Sequence, residues 1–99
     1  MPTYVTLARF TDQGINNVKE VLAPERTQQL RVAIAQAGGR VVGTYLTQGA
    51  YDVVAIMEFP DEEAATAFLL GLGMRGNVRT ETLRAFTAEE MQRILQRVP

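Results

Sequence analysis

The stretch from Gly39 to Phe59, GRVVGTYLTQGAYDVVAIMEF, contains two β-rich runs that meet at a tight turn around Gly49. The second run continues from Tyr51-Asp52 into five consecutive apolar residues, 53–57. A strand that is apolar on both parities has no face to offer to water, so each of its sides requires a cover. The stretch therefore predicts a central hairpin, and the rest of the chain must supply surfaces that pack on both of its faces.

The chain before the hairpin predicts one strand and two helices. Apolar and polar residues alternate from Thr3 to Phe10, which is typical of a strand. A helix is expected after Thr11-Asp12, because these side chains can accept hydrogen bonds from its first turn. A break near Ala23 and a second helix starting at Pro24 follow, because proline is tolerated in a first helical turn. Gly38-Gly39 ends that helix.

The chain after the hairpin predicts a helix, a strand and a further helix. Pro60-Asp61 ends the second hairpin strand and caps a helix, and the last strand runs from about Asn77 to Phe86. Thr87 and Glu90 form a capping box at the start of a C-terminal helix. The order of elements predicts one α+β domain over residues 1–99. Its fold is a ferredoxin-like βαββαβ sandwich with an antiparallel four-stranded sheet and an extra C-terminal helix.

Helices cover only one face of such a sheet, and this predicts an assembly. Val54 and Ile56 are apolar on one parity, and Val53, Ala55 and Met57 are apolar on the other. An exposed apolar sheet would be an aggregation hazard. The sequence therefore favours a homodimer, or a higher oligomer, in which two sheets pack face to face.

Composition excludes several classes of function. The chain has 99 residues, a net charge of −1, and neither Cys nor His. No basic field is present to attract nucleic acid or an anionic membrane, and no run approaches the length of a membrane span. The usual metal ligands and the usual neutral-pH proton shuttle are missing, so we expect no metal and no cofactor. The N-terminus lacks the features of a signal peptide, and a cytoplasmic protein is expected.

Three blocks of the sequence resemble the GYD domain family of small bacterial proteins. They are Gly49-Ala50-Tyr51-Asp52 with its following β-branched run, the segment 4–15, and the segment 76–86. Ala50 separates the glycine from the tyrosine, and the resemblance covers essentially the whole chain. It implies a ferredoxin-like fold that pairs as a dimeric α+β barrel. It implies no function, since the family is known mainly as a domain of unknown role.

Four charged residues are expected at one end of the sheet: Arg9, Asp52, Arg79 and Glu81. They share the parity of Leu7, Val54 and Leu83, which we expect to face the helices. Such a cluster predicts a structural ion-pair network. The alternative is a small anionic-ligand site that uses the two arginines, with a carboxylate as base.

The opposite parity predicts a polar lining inside the dimeric barrel. Its members are Tyr4, Thr6, Phe10, Tyr45, Tyr51, Thr80, Thr82 and Arg84. They could line a ligand pocket with Arg84 on the ligand's polar head, or form a wet dimer interface. The leading functional hypothesis is a small-molecule-binding module. The alternatives are a cofactor-independent enzyme of the small monooxygenase or isomerase type, and a regulatory protein-interaction module.

Overall fold

The computed structural model describes all 99 residues as four strands and five helices. In chain order they are β1 (Thr3–Phe10), α1 (Asp12–Asn16), α2 (Val18–Val21), α3 (Pro24–Gln36), β2 (Arg40–Leu46), β3 (Val53–Glu58), α4 (Glu62–Met74), β4 (Val78–Ala85) and α5 (Ala88–Leu95). The predicted α+β, ferredoxin-like arrangement with an additional C-terminal helix is confirmed.

The four strands form one antiparallel sheet in the order β2-β3-β1-β4. As predicted, β3 and β4 flank β1 on either side. The pairing of β2 with β3 shifts register between Val41 and Gly43, so one extra residue bulges from this edge strand. Such bulges increase the local twist of a sheet edge.

Local capping signals set several of the helix ends. The Thr11 hydroxyl accepts a hydrogen bond from the Gly14 N–H at 3.1 Å, and Asp61 accepts one from the Ala64 N–H at 2.8 Å. The capping box of Thr87 and Glu90 is present at α5. Gly38, just beyond α3, has a φ of +83°, a conformation that glycine adopts without a Cβ clash.

The first helical region is broken where the sequence predicted a continuous helix. Asn17 leaves the helical conformation, with φ −117° and ψ 27°, and so separates α1 from α2. Its side-chain amide donates to the Gln13 carbonyl at 2.9 Å. Asparagine competes with a helix in this way because its short side chain bonds to nearby backbone groups.

The core lies between the sheet and helices α3 and α4. Its fully buried centre is Phe59, whose ring lies 6.2 Å from that of Tyr4 and 5.6 Å from that of Phe68. Ile34, Met57 and Ala65 complete the buried cluster. The helices thus cover the parity of Tyr4 and Met57, and the predicted assignment of the parities of the sheet was wrong. Thr6 and Ala8 share this buried side.

The remaining C-terminal helix extends away from this core. α5 makes no substantial packing contact with any other helix or strand. Its apolar side chains Met91, Ile94 and Leu95 are exposed, and so is Val98 just beyond its end. None of the five helices has the length and hydrophobicity that crossing a membrane requires.

Candidate functional site

The face of the sheet opposite the helices is the main candidate site, and we call it the open face. The strand register brings together Val5, which pairs with Ile56 and Leu83, and Leu7, which pairs with Val54. Tyr45 lies beside Val54 on the edge strand. The members of the open face are Val5, Leu7, Tyr45, Val54, Ile56 and Leu83. Leu83 is 49% exposed and Tyr45 is 58% exposed, whereas Val5, Leu7, Val54 and Ile56 are half-buried. No helix of the chain lies over this apolar surface.

One end of the open face carries a polar triad of Arg9, Tyr51 and Glu81. The Arg9 guanidinium lies 4.7 Å from the centre of the Tyr51 ring, and its Nε donates to the Ala50 carbonyl at 2.7 Å. The Tyr51 hydroxyl donates a hydrogen bond to the Glu81 carboxylate. That hydrogen bond is the main cause that raises the pKa of the Tyr51 phenol above its usual value. The phenol therefore stays protonated at neutral pH and can serve as a proton donor but not as a base.

The loop that carries Tyr51 is fastened to the end of β1 through Asp52. The Asp52 carboxylate accepts a hydrogen bond from the Phe10 N–H at 2.9 Å, and the Asp52 N–H donates to the Ala8 carbonyl at 2.8 Å. The Thr47 N–H closes the loop on the Asp52 carbonyl at 2.8 Å. Gly49, at φ +101°, makes the turn possible. The glycine-tyrosine-aspartate segment thus has a structural role, which is to present Tyr51 beside Arg9.

The four charges predicted at this end do not pair with one another. The ion pairs of the chain join Arg40 to Glu58 at 2.5 Å and Arg84 to Glu90 at 3.7 Å. Arg9 and Glu81 are linked only through the Tyr51 side chain. Asp52 bonds to backbone N–H instead of an arginine, and Arg79 lies toward Gly73 of α4. The predicted ion-pair network was wrong because the strand ends offer backbone and aromatic partners nearer than the opposite charges.

The eight residues predicted to line one pocket lie on two faces of the sheet. Those on the side of the helices are Tyr4, Thr6, Phe10, Thr80, Thr82 and Arg84. Tyr45 and Tyr51 lie on the open face and at its polar end. They do not share one surface, because Tyr45 pairs with Val54 and Tyr51 bonds to Glu81, and these two partners both pair with Leu7 on the face opposite Tyr4. Ligand binding by any of them stays a prediction.

Contacts within the chain engage three of the predicted polar residues on the helix side. The Thr6 and Thr82 hydroxyls are hydrogen-bonded to each other at 3.1 Å across β1 and β4. The Arg84 guanidinium pairs with Glu90 and lies 4.4 Å from the centre of the Phe86 ring. Arg84, predicted to hold a ligand's polar head, instead joins the end of β4 to the start of α5.

The sequence reasoning missed that the α5 stripe has no cover. The spacing of Met91, Ile94, Leu95 and Val98 predicts one apolar stripe, and such a stripe ordinarily packs on its own domain. The signal that could have corrected this is the position of α5 after the last strand, where both helix positions over the sheet are already filled. No three His, Cys, Asp or Glu side chains lie close enough together to hold a metal ion.

Comparisons with known proteins agree with this architecture. The sequence model of the GYD domain matches residues 4–95. The glutamine synthetase and cystathionine beta-lyase binding protein of Thermus thermophilus is 34% identical over 92 residues, which cover 92% of this chain and 95% of that protein. The crystal structure of TTHA0845, also from Thermus thermophilus, matches with a TM-score of 0.56 and 33% identity, covering 89% of this chain and 96% of that one. This chain belongs to the GYD domain family.

Proposed function

We propose that this chain is a protein-interaction module that pairs with a second copy through the open face and binds a partner enzyme through α5. The observation that carries the proposal is the apolar open face, which no helix of the chain covers. Contiguous exposed apolar surface on a small protein marks an interaction site. Only 9 of the 99 residues are buried, so a single chain has a small core and gains stability from a second apolar contact.

A second copy is the occupant that fits the open face. A twofold interface places the same patch on both sides, so its charges must tolerate meeting themselves. The ends of the open face carry both signs, with Arg9 near Glu81 at one end and Arg40 paired with Glu58 at the other. Each end therefore contains both signs, although Arg79 lies opposite Arg9 in the register of β1 and β4. The apolar centre, from Val5 to Ile56, supplies the contact that excludes water.

The partner enzyme is proposed from α5 and from the relative's name. Met91, Ile94, Leu95 and Val98 fall at the spacing with which an amphipathic helix enters an apolar groove. The related Thermus thermophilus protein is named for binding glutamine synthetase and cystathionine beta-lyase. We therefore expect this chain to bind enzymes of those two kinds, with the stripe of α5 as the contact.

Two variants separate the two surfaces. The open-face variant Ile56→Lys should give a folded monomer, and the α5 variant Ile94→Lys should keep the dimer and lose the enzyme. Sedimentation velocity gives the oligomeric state, and biolayer interferometry on immobilised glutamine synthetase and cystathionine beta-lyase gives the binding. Arg97→Gln, an exposed change beyond α5, is the matched control and should bind like the natural protein. Enzyme binding that survives Ile94→Lys would show that α5 is not the contact with the enzyme.

The other functions predicted from the sequence stay predictions. Between two paired sheets, Arg9, which has no carboxylate within ion-pair distance, can hold a small anion at the polar end of the open face. A cofactor-independent reaction would use the Tyr51 phenol as its proton donor after its bond to Glu81 opens. A screen of small carboxylates for stabilisation, repeated on Arg9→Gln, would test the first, and loss of any turnover in Tyr51→Phe would test the second. A cytoplasmic location stays a prediction too.

A further inference from the structure

A cavity of about 150 Å³ lies on the helix side of the sheet, away from the open face. Its floor is the sheet, where Ala8 and Ala55 are the smallest side chains, and its walls come from the end of α2, from α3 and from α4. Lining residues from each element are Ala8, Ala55, Leu30, Ile34, Phe68 and Leu72. The cavity exists because α3 and α4 do not pack closely on each other and the floor beneath them carries alanines.

Two arginines lie where this cavity meets a polar cleft. Arg26 at the start of α3 and Arg75 at the end of α4 line both spaces, together with Asn77. Neither arginine has a carboxylate within ion-pair distance, although Glu20 lines the same cleft. Arg31 is a third arginine on the cavity wall. A void left by imperfect packing would need none of these cations at its mouth.

We infer that the cavity binds a small carboxylate with an apolar, ring-sized body. A dry apolar cavity of about 150 Å³ accommodates benzene, and the mainly apolar lining here suits such a group. The carboxylate would lie at the mouth, where Arg26 and Arg75 can each donate two parallel hydrogen bonds. Buried apolar walls with a few polar groups at one end are the usual composition of a ligand site. The inference does not depend on the open face or on α5.

The test uses benzoate as the probe and the full chain as the protein. We expect benzoate to shift the amide resonances of Leu30, Ala55 and Leu72 in a titration followed by ¹H–¹⁵N NMR, with a Kd from calorimetry. Benzyl alcohol, which has the ring without the charge, should bind at least about tenfold more weakly, because it lacks the charge-assisted bonds. Acetate, which has the charge without the ring, should not shift those resonances.

Variants assign the binding to the cavity. The double change Arg26→Gln and Arg75→Gln should weaken benzoate at least about tenfold and leave benzyl alcohol unchanged, whereas Arg93→Gln on α5 should change neither. Ala55→Leu fills the floor and should abolish binding; if that variant does not fold, Leu30→Phe closes the wall instead. The inference is overturned if benzoate does not bind at millimolar concentration, if it binds the double variant equally well, or if only open-face resonances move.

Discussion

The two faces of the same sheet differ in what covers them, and strand β3 shows this in adjacent residues. Met57 is 3% exposed in the core beneath the helices, whereas Ile56 points to the open face between Val5 and Gly43. Both side chains are apolar and both lie in the middle of a four-stranded sheet. Only one of them is buried by the chain's own elements. Apolar sequence therefore predicts burial without saying whether the same chain or another one provides it.

Phe59→Ala is the change with the largest expected effect, and it separates the two faces. Phe59 is fully buried between Tyr4 and Phe68, and removing such a ring typically costs about 3–5 kcal/mol of the free energy of unfolding. Leu83→Ala on the open face should instead weaken association and leave the fold of each chain intact. Urea denaturation at several protein concentrations measures both. A Leu83→Ala chain that loses as much stability as Phe59→Ala in dilute solution would contradict the comparison.

Asp52 fastens the loop at the end of the open face, and its loss should destabilise each single chain. Asp52→Ala leaves the Phe10 N–H without its acceptor and should lower the free energy of unfolding by about 1–3 kcal/mol. Asp52→Asn should have a smaller effect, since an amide oxygen can still accept. Asp12→Asn, an exposed change in α1, is the control for loss of charge. Thermal unfolding in the three variants should rank Asp52→Ala lowest, and an unchanged Tm there would refute the structural role.

The capping box of α5 predicts a local effect of pH. The Thr87 N–H donates to the Glu90 carboxylate at 2.9 Å, and this bond is the main cause that lowers the pKa of Glu90. Because the pKa is lowered in the folded state, the bond stabilises α5 at any pH above the ordinary carboxyl pKa. This stabilisation is lost as the pH falls through the lowered pKa of Glu90. NMR should show α5 fraying in acid before β4 exchanges. Glu90→Gln should remove most of the pH dependence of the α5 chemical shifts. Shifts that stay equally pH-dependent in that variant would contradict the role of Glu90.

The hydrogen bond between Tyr51 and Glu81 should have the smallest effect on the stability of the fold. The pKa of Tyr51 is raised above its ordinary 10.0, mainly by the hydrogen bond to Glu81. A raised pKa means that this bond stabilises the fold below pH 10 and is lost as the pH rises through the raised value. Tyrosinate absorbance, with Tyr51→Phe as the subtraction, follows that single phenol. Glu81→Ala should bring its pKa down toward the ordinary value, and an unchanged titration would show that the pair does not form in solution.

Local signals predicted the elements well. The alternation from Thr3 to Phe10, the start of a helix at Pro24 and the capping box at Thr87 depend on neighbours in the chain, and all three are confirmed. The break of the helix at Asn17 was not predicted, because it depends on a single side-chain hydrogen bond within an otherwise helical pattern. The order β2-β3-β1-β4 followed from the number and spacing of the elements, which restrict the topologies open to a small domain.

The assignment of the faces could not be predicted in the same way. Val5 and Leu7 are as apolar as Tyr4 and Ala8, so the pattern along β1 does not say which set faces the helices. The choice depends on Phe59 and on helices far away in sequence. The Tyr51–Glu81 bond joins residues 30 positions apart, and the register of β1 with β4 is needed to see it. The sequence therefore predicted residues of suitable chemistry, but it grouped residues from different faces of the sheet into one site.

The mass of the protein in solution, measured for the natural sequence and for Ile56→Lys, shows whether two copies pair through the open face. By sedimentation equilibrium at micromolar concentration, we expect the natural chain to have twice its 10.9 kDa mass. Ile56→Lys should have the single mass and keep its near-ultraviolet circular dichroism, whereas Met57→Lys, its neighbour in the core, should unfold. A natural chain that stays at 10.9 kDa, or an Ile56→Lys chain that still pairs, would contradict the claim that the open face is where two copies meet.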